Sequence, residues 1–322
     1  MQYSRGLVSD LARRYGYLDY MIERYLALWG ESETVRFLDA CEHPVRPSLR
    51  VNTLKTSPGE LISLLHERGV RSEKVPWLEE GLWADFNGLS PGATIEHMRG
   101  LFYIQGVPSM TVARVLAPRE GEIVLDIASA PGGKTTHLAQ LMRNTGLLLS
   151  IEFDRSRIVR LESNISRCGV TNCVVLRGDA KKISELGLRA RYILLDAPCS
   201  GEGLLPIDPT RKTSKTMADI RFCATRESEM LDSALRVLEP GGHIVYSTCS
   251  VAPEEGEFVI DEALKRHPEV KVQPIGLSFG SPAYTSPYGV PVDSSISLAR
   301  RFLPHLHGTE GFFICRMLKE AE

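Results

Sequence analysis

No stretch of the 322 residues approaches the ~20 consecutive apolar residues that a bilayer-spanning helix requires, so a membrane-embedded chain is excluded as the first expectation. Nor is there an apolar run ahead of Asp10, where a secretory signal would carry one; a cytoplasmic setting is expected. The seven cysteines form no CxxC pair. Their number is odd, and Cys168 and Cys173, the closest two, match no zinc spacing; this disfavours both a disulfide framework and a metal cluster, and no metal is expected. Lysine is scarce, with 10 among 38 basic residues, and the net charge is only −2, so bulk charge gives no sign of a polyanionic partner. The surplus of arginine suits planar contacts to phosphates and bases but proves nothing by itself. Repeats and low-complexity tracts are also absent. What remains is an ordinary globular composition, 43% apolar and 24% charged, at a length expected for about two domains.

The character of the chain changes near residue 100. Residues 18–28 and 34–41 place apolar side chains at helical spacing, and Pro44 and Pro47 end that stretch. Leu49 to Asn52 reads as a short strand. Ser57-Pro58-Gly59-Glu60 has an N-cap, a first-turn proline and a Glu three residues on, so a helix should start there and stop by Gly69. The expected organisation is a helical segment over 1–44, a small α/β module over 45–100 and a larger domain over 101–322.

That larger domain alternates strands and helices at the period of parallel βαβ units. Strands are expected at Glu122–Asp126, Leu147–Glu152, Val174–Asp179, Tyr192–Asp196 and His243–Cys249, each apolar in the middle and polar or chemically capable at its end. The intervening helices have one apolar face, with Ile158, Leu161, Ile165 and Cys168 in one and Leu231, Ala234, Leu235 and Leu238 in another. The fold class is therefore α/β with a doubly wound sheet, whose ligands bind at the carboxyl ends of the strands.

Between the first of these strands and its helix lies Asp126-Ile-Ala-Ser-Ala-Pro-Gly-Gly-Lys134-Thr-Thr, whose small residues let a ligand approach the backbone. Two chemistries compete. Gly133-Lys134-Thr135 resembles the end of a phosphate-binding loop, and Leu194-Leu195-Asp196 a magnesium-positioning strand, but the required glycine five residues before Gly133 is Ala128. Glu152 and Asp179 end the second and third strands, where carboxylates can accept ribose hydroxyls and lie near an adenine. A nucleoside ligand is favoured over a triphosphate. Asp154 is an alternative to Glu152, and the spacing to Arg157 favours Glu152.

Asp196-Ala-Pro-Cys199-Ser-Gly follows the fourth strand and Ser247-Thr-Cys249-Ser the next. Neighbouring strands would bring both thiols to one ligand, whereas Cys41, Cys168, Cys173, Cys223 and Cys315 sit among apolar neighbours and read as inert. Two thiols beside a nucleoside ligand suit methylation of a cytosine. Addition of one thiolate at carbon 6 makes carbon 5 nucleophilic toward a methyl sulfonium, and a second group helps remove the carbon 5 proton. Asp196 can hydrogen-bond the exocyclic amine. The residues themselves do not say which thiol attacks.

Together these motifs resemble the Sun-type RNA cytosine-5 methyltransferase family over nearly the whole chain. Leu49-Arg50-Val51-Asn52-Thr53, Gly100-x-Phe102-Tyr103-x-Gln105 and Pro304-His305-x5-Gly311-Phe312-Phe313 add to the match. The resemblance implies a Rossmann-like catalytic domain preceded by an RRM-like module. It implies S-adenosylmethionine as cofactor, held by Ala128, Ser129, Ala130, Pro131, Gly132, Gly133 and Lys134 with Glu152, Arg157, Asp179 and Asp196. It makes Cys249 the attacking thiol, Cys199 the thiol that assists release, and RNA rather than DNA or a membrane the partner. Because the chain is compact, tRNA is expected, with rRNA as the alternative; an RNA-dependent NTPase and a non-catalytic RNA-binding factor are rival readings. The small module has no aromatic-rich strand for stacking bases, so it is expected to hold phosphates or pack on the catalytic domain. Candidate RNA contacts are Arg46, Arg50, Lys55, Arg211, Lys212, Lys215, Arg300 and Arg301, with the loop from Leu205 to Asp219 at the pocket mouth. The target cytosine must leave its stack to reach both thiols.

Overall fold

The computed structural model describes residues 3–321; Met1, Gln2 and Glu322, the outer ends of the segments drawn above, lie outside the described residues. Helices α1 (Arg5–Tyr15), α2 (Asp19–Trp29) and α3 (Glu31–Cys41) open the chain. Their apolar faces close a cluster with Leu205, Val251 and Leu303, which belong to loops at the carboxyl end of the large sheet. Arg24 ties the same surfaces by charge, donating to Glu202 at 2.8 Å and Glu254 at 2.7 Å. The helical segment is thus a buttress for those loops.

The small module has the element order β1 (Ser48–Val51), α4 (Pro58–Glu67), β2 (Arg71–Lys74), β3 (Gly81–Asp85), α5 (Ile95–Met98) and β4 (Phe102–Ile104). Its four strands are antiparallel in the order β2-β3-β1-β4, so the sheet reaches Ile104, beyond residue 100. The α4 start is the one expected, Ser57 Oγ accepting from the Glu60 amide at 3.2 Å. Strand alternation sends Leu49 and Val51 toward α4, into a core with Leu61, Leu65, Leu82 and Phe102. It sends Arg50 to the opposite face, against the large domain. There the guanidinium is fully buried, donating to Gln105 Oε1 and the Gly133 carbonyl at 2.5 Å and to Thr136 Oγ1 at 2.7 Å. Arg50 therefore joins the two domains and is not available to RNA.

The large domain contains α6 (Val107–Leu116), β5 (Ile123–Ile127), α7 (Gly133–Leu141), β6 (Leu147–Glu152), α8 (Arg155–Cys168), β7 (Cys173–Arg177), β8 (Ala190–Asp196), α9 (Met217–Val237), β9 (Leu238–Thr248), α10 (Glu257–Arg266), β10 (Val270–Gln273), β11 (Ser281–Pro282), β12 (Arg300–Phe302), α11 (Pro304–His307) and β13 (Phe312–Lys319). The sheet order is β11-β12-β13-β9-β8-β5-β6-β7, with β10 pairing β13. Strands β7, β6, β5, β8 and β9 are parallel, as the βαβ spacing predicts, whereas β10–β13 add antiparallel pairing on the β9 side. It is a doubly wound, Rossmann-like sheet carrying a smaller N-terminal α/β module.

Two boundaries differ instructively. Strand β7 ends at Arg177, because Asp179 turns to cap the next short helix by accepting from the Lys181 amide. Strand β9 begins at Leu238, expected on the preceding helix face, rather than at His243: Pro240-Gly241-Gly242 lies within the strand, and a register shift opposite Ala190 and Tyr192 accommodates it. Among the described residues no helix is long and apolar enough to cross a membrane, and no cluster of His, Cys, Asp or Glu is arranged to hold a metal ion.

Candidate active site

The carboxyl ends of β8 and β9 lie side by side, with Asp196 paired to Ser247 in register. The loops that continue them carry the two predicted cysteines, whose sulfurs approach to 2.9 Å. Several contacts hold them there. The Gly203 amide donates to the Cys249 carbonyl at 2.9 Å, and the Gly311 amide to the Gly203 carbonyl at 2.8 Å. A Cβ on Gly203 would stand 2.1 Å from the Gly311 carbonyl oxygen, so this three-loop crossing requires glycine. Below the crossing, buried Glu255 accepts from the Ser200 amide at 2.7 Å and the Ser200 hydroxyl at 2.6 Å. From the other side, Arg211 donates to the Ser200 carbonyl at 2.6 Å.

This packing acts on the Cys199 thiol. The hydrogen bond to Cys249, burial, and the negative charges of Cys249 and Glu255 together hold the Cys199 thiol well above its ordinary range. Burial also raises the Glu255 carboxyl itself. In this arrangement Cys199 favours its protonated form and shares one hydrogen bond with Cys249.

Asp196 faces the same space, accepting from Lys134 Nζ at 2.6 Å and Ser247 Oγ at 2.7 Å. Lys134, expected in a cofactor loop, thus turns to the thiol side of the site, and its ammonium lies 5.5 Å from the centre of the Phe312 ring. Buried Glu310 also flanks this region. Burial pushes its carboxyl up to about 7, Lys134 opposes that shift, and a Cβ on Gly106 would collide with a carboxylate oxygen of Glu310.

On the β5, β6 and β7 side is a cleft of about 380 Å³ lined by Ala128, Glu152, Phe153, Arg157, Asp179, Pro198 and Arg226, among others. Its size and mix of apolar and polar walls fit a nucleoside. Glu152 Oε1 accepts from the Phe153 and Asp154 amides at 2.9 and 3.0 Å and Oε2 from the Ala130 amide at 3.2 Å; the fixed carboxylate then has further lone pairs for ribose hydroxyls. Arg157 braces the loop by donating to the Ala130 carbonyl at 2.6 Å. Asp154 also borders the cleft but is committed to capping α8. Ala128 sits at φ +61°, the turn that swings the loop away from β5. Of the residues expected to hold a cofactor, Ala128, Glu152, Arg157 and Asp179 line this cleft, whereas Ser129, Ala130, Pro131, Gly132, Gly133, Lys134 and Asp196 are not among its lining residues. Thr135 is fully buried and donates to Asp126 at 2.6 Å, so it has no hydroxyl to present to a nucleotide-bound cation, which weighs against the NTPase reading.

Several expected RNA contacts are spent inside the protein. Arg301 is fully buried, paired with Glu257 and stacked 4.6 Å from the Tyr284 ring centre. Arg300 and Lys55 donate to backbone carbonyls, Lys212 to the Tyr15 carbonyl and Glu42, and Arg46 pairs with Glu73. Glu255, Phe153 and Arg226 were missed from the sequence: an acid in a short turn ahead of a helix, an aromatic after a strand and an arginine in mid-helix are unremarkable until the fold brings them to the site.

The sequence model described as 16S rRNA methyltransferase RsmB/F matches residues 113–318, and that of the N-terminal domain of 16S rRNA methyltransferase RsmF matches residues 19–107. The chain belongs to the RsmB/F methyltransferase family. Among its relatives, a 28S rRNA (cytosine-C(5))-methyltransferase from Mus musculus is 39% identical over 323 residues, covering 99% of this chain and 41% of that protein. Ribosomal RNA small subunit methyltransferase F from Klebsiella pneumoniae (strain 342) is 40% identical over 295 residues, covering 88% of this chain and 60% of that protein. This RsmB/F-family chain therefore spans only about two to three fifths of the length of these curated relatives. Two crystal structures from Pyrococcus horikoshii are also similar. A methyltransferase homolog protein is 41% identical with a TM-score of 0.88, over 98% of this chain and 100% of that one. NSun6 with SFG is 28% identical with a TM-score of 0.82, over 92% and 97%.

Proposed function

We propose that this RsmB/F-family protein is an RNA (cytosine-5)-methyltransferase acting on rRNA. The observation that carries the reaction is the pair of thiols, 2.9 Å apart, beside Asp196 and next to a cleft suited to a nucleoside. The tRNA preference drawn from the compactness of the chain gives way to rRNA, because the relatives compared above are named as rRNA methyltransferases. S-adenosylmethionine supplies an electrophilic methyl group when bound in the cleft. Glu152 would hold the ribose hydroxyls, Asp179 would lie near the adenine, and Phe153, which is 65% exposed, offers a face for the base.

Cys249, its thiol proton released to solvent, attacks carbon 6 of a flipped cytosine. Asp196 accepts from the exocyclic amine, with Lys134 and Ser247 fixing its direction. Once carbon 5 carries the methyl group, its proton passes to solvent as the Cys249–carbon 6 bond breaks, and the Cys199 S–H, adjacent to Cys249, assists release by donating to the departing sulfur. The small module contributes by packing on the catalytic domain, since its Arg50 face is covered.

The test incubates the protein with labelled S-adenosylmethionine and, separately, unmethylated rRNA and tRNA transcripts, followed by nucleoside mass spectrometry. 5-Methylcytosine in rRNA supports the proposal. Label confined to tRNA would restore the earlier substrate preference, and cofactor binding without transfer to either RNA would refute the assigned reaction.

A further inference from the structure

The loop from Leu205 to Asp219 leads into α9, whose first turns pass the thiols and reach the cofactor cleft. Arg226 lines that cleft beside Pro198, the residue before Cys199. One turn earlier, Cys223 is half-buried, and α9 packs against the turn carrying Glu255, whose carboxylate holds Ser200 beside the thiols. On the outer side of the same turns, Phe222 is 63% exposed and the Arg226 guanidinium carbon lies 5.6 Å from its ring centre. Arg221 beside it is exposed. Among the described residues neither Arg221 nor Arg226 has a carboxylate partner, in contrast to the neighbouring Lys181–Glu229 and Arg211–Asp208 pairs.

An exposed ring with one unpaired guanidinium over it, and a second exposed arginine next to it in the chain, suits the holding of single-stranded nucleic acid, the ring stacking a base and the arginines meeting phosphates. Most basic residues singled out from the sequence have internal partners; among the described residues Lys215, just ahead of α9, and Arg221 and Arg226 on it have no carboxylate partner, so free positive charge gathers at the start of this helix. A flipped cytosine also leaves its neighbours unstacked at the pocket mouth, where a new face can receive one of them. Resting on the RNA-methyltransferase reading above, we propose that Phe222, with Arg221 and Arg226, is the platform on which the unpaired RNA strand next to the target cytosine docks, Phe222 stacking a neighbouring base.

The test measures fluorescence anisotropy of a labelled 20-nucleotide single-stranded RNA of mixed sequence with the full chain. Phe222→Ala should weaken binding about tenfold, Phe222→Tyr should stay within about twofold, and Phe222→Leu should be as weak as alanine because it keeps apolar area without a stacking face. Arg221→Ala should reduce the slope of log affinity against log salt by about 0.7. Because Phe222 and Arg221 are exposed, their variants should melt with the wild type. Phe222→Ala binding within twofold of the wild type, rescue by leucine, or failure of the wild type to bind this RNA would overturn the platform; rescue by leucine would indicate apolar docking of a protein instead. The methyl-transfer assay separates the two readings: transfer by the wild type with unaltered Phe222→Ala affinity overturns the platform alone, whereas a tenfold affinity loss without any wild-type transfer overturns the reaction alone.

Discussion

Arg50→Ala separates a structural arginine from an RNA-binding one. The Arg50 guanidinium is fully buried between the small sheet and the start of α7 and makes three hydrogen bonds, to Gln105, the Gly133 carbonyl and Thr136. Burial lowers it to about 10, which leaves it charged at neutral pH, and no carboxylate is among these three acceptors. Hydrogen bonds from a charged donor are worth about 1.5–3 kcal/mol each. Relief of the buried charge offsets several kcal/mol of that sum. A net loss of about 3–5 kcal/mol follows. At roughly 2 °C per kcal/mol for a chain of this size, thermal unfolding should shift down by about 6–10 °C. RNA affinity and its salt dependence, measured well below the melting range, should match the wild type. An unchanged melting temperature together with weaker, less salt-dependent RNA binding would refute the interdomain role and return Arg50 to the RNA surface.

Asp126 is fully buried, and burial pushes its carboxyl up to about 7. The folded state thus binds a proton that the unfolded chain releases near pH 4, so this group costs stability progressively between about pH 4 and 7. Asp126→Asn should change little at pH 4 and stabilise by roughly 3–4 kcal/mol at pH 8, read by urea titration; a pH-independent effect would contradict the burial argument. Iodoacetamide at pH 7.5 should label Cys249 before Cys199, because Cys249, burial and Glu255 keep the Cys199 proton in place; peptide mapping showing the reverse order would invert the pair. Glu152→Gln should weaken S-adenosylmethionine binding about ten- to a hundredfold in calorimetry, and unaltered affinity would remove Glu152 from the ribose.

The parallel strands and their chemically capable ends were legible because strand periodicity and a doubly wound sheet together dictate which residues meet. Cys199 and Cys249, 50 residues apart, were brought to one place by that logic alone. Sequence could not reveal which charges are consumed within the fold. Arg50 and Arg301 look like surface arginines until β1 is seen to face α7 and Arg301 to meet Glu257. Lys134 belongs to a small-residue loop that reads as a ligand cradle, but its long side chain reaches across to Asp196. Glu255 has no local signature; its importance comes from lying beneath a loop 55 residues earlier in the chain. Arg226 and Phe222 were equally silent, since an outward helix face identifies its partner only when the neighbouring cleft is known.

The division of labour between the thiols is tested most directly by incubating Cys199→Ala and Cys249→Ala with rRNA transcript and S-adenosylmethionine, then separating the products on a denaturing gel. Cys199→Ala should accumulate a protein–RNA adduct that survives denaturation, because Cys249 attacks and release is then unassisted, while Cys249→Ala should give neither adduct nor methylated RNA. An adduct with Cys249→Ala and none with Cys199→Ala would contradict the account.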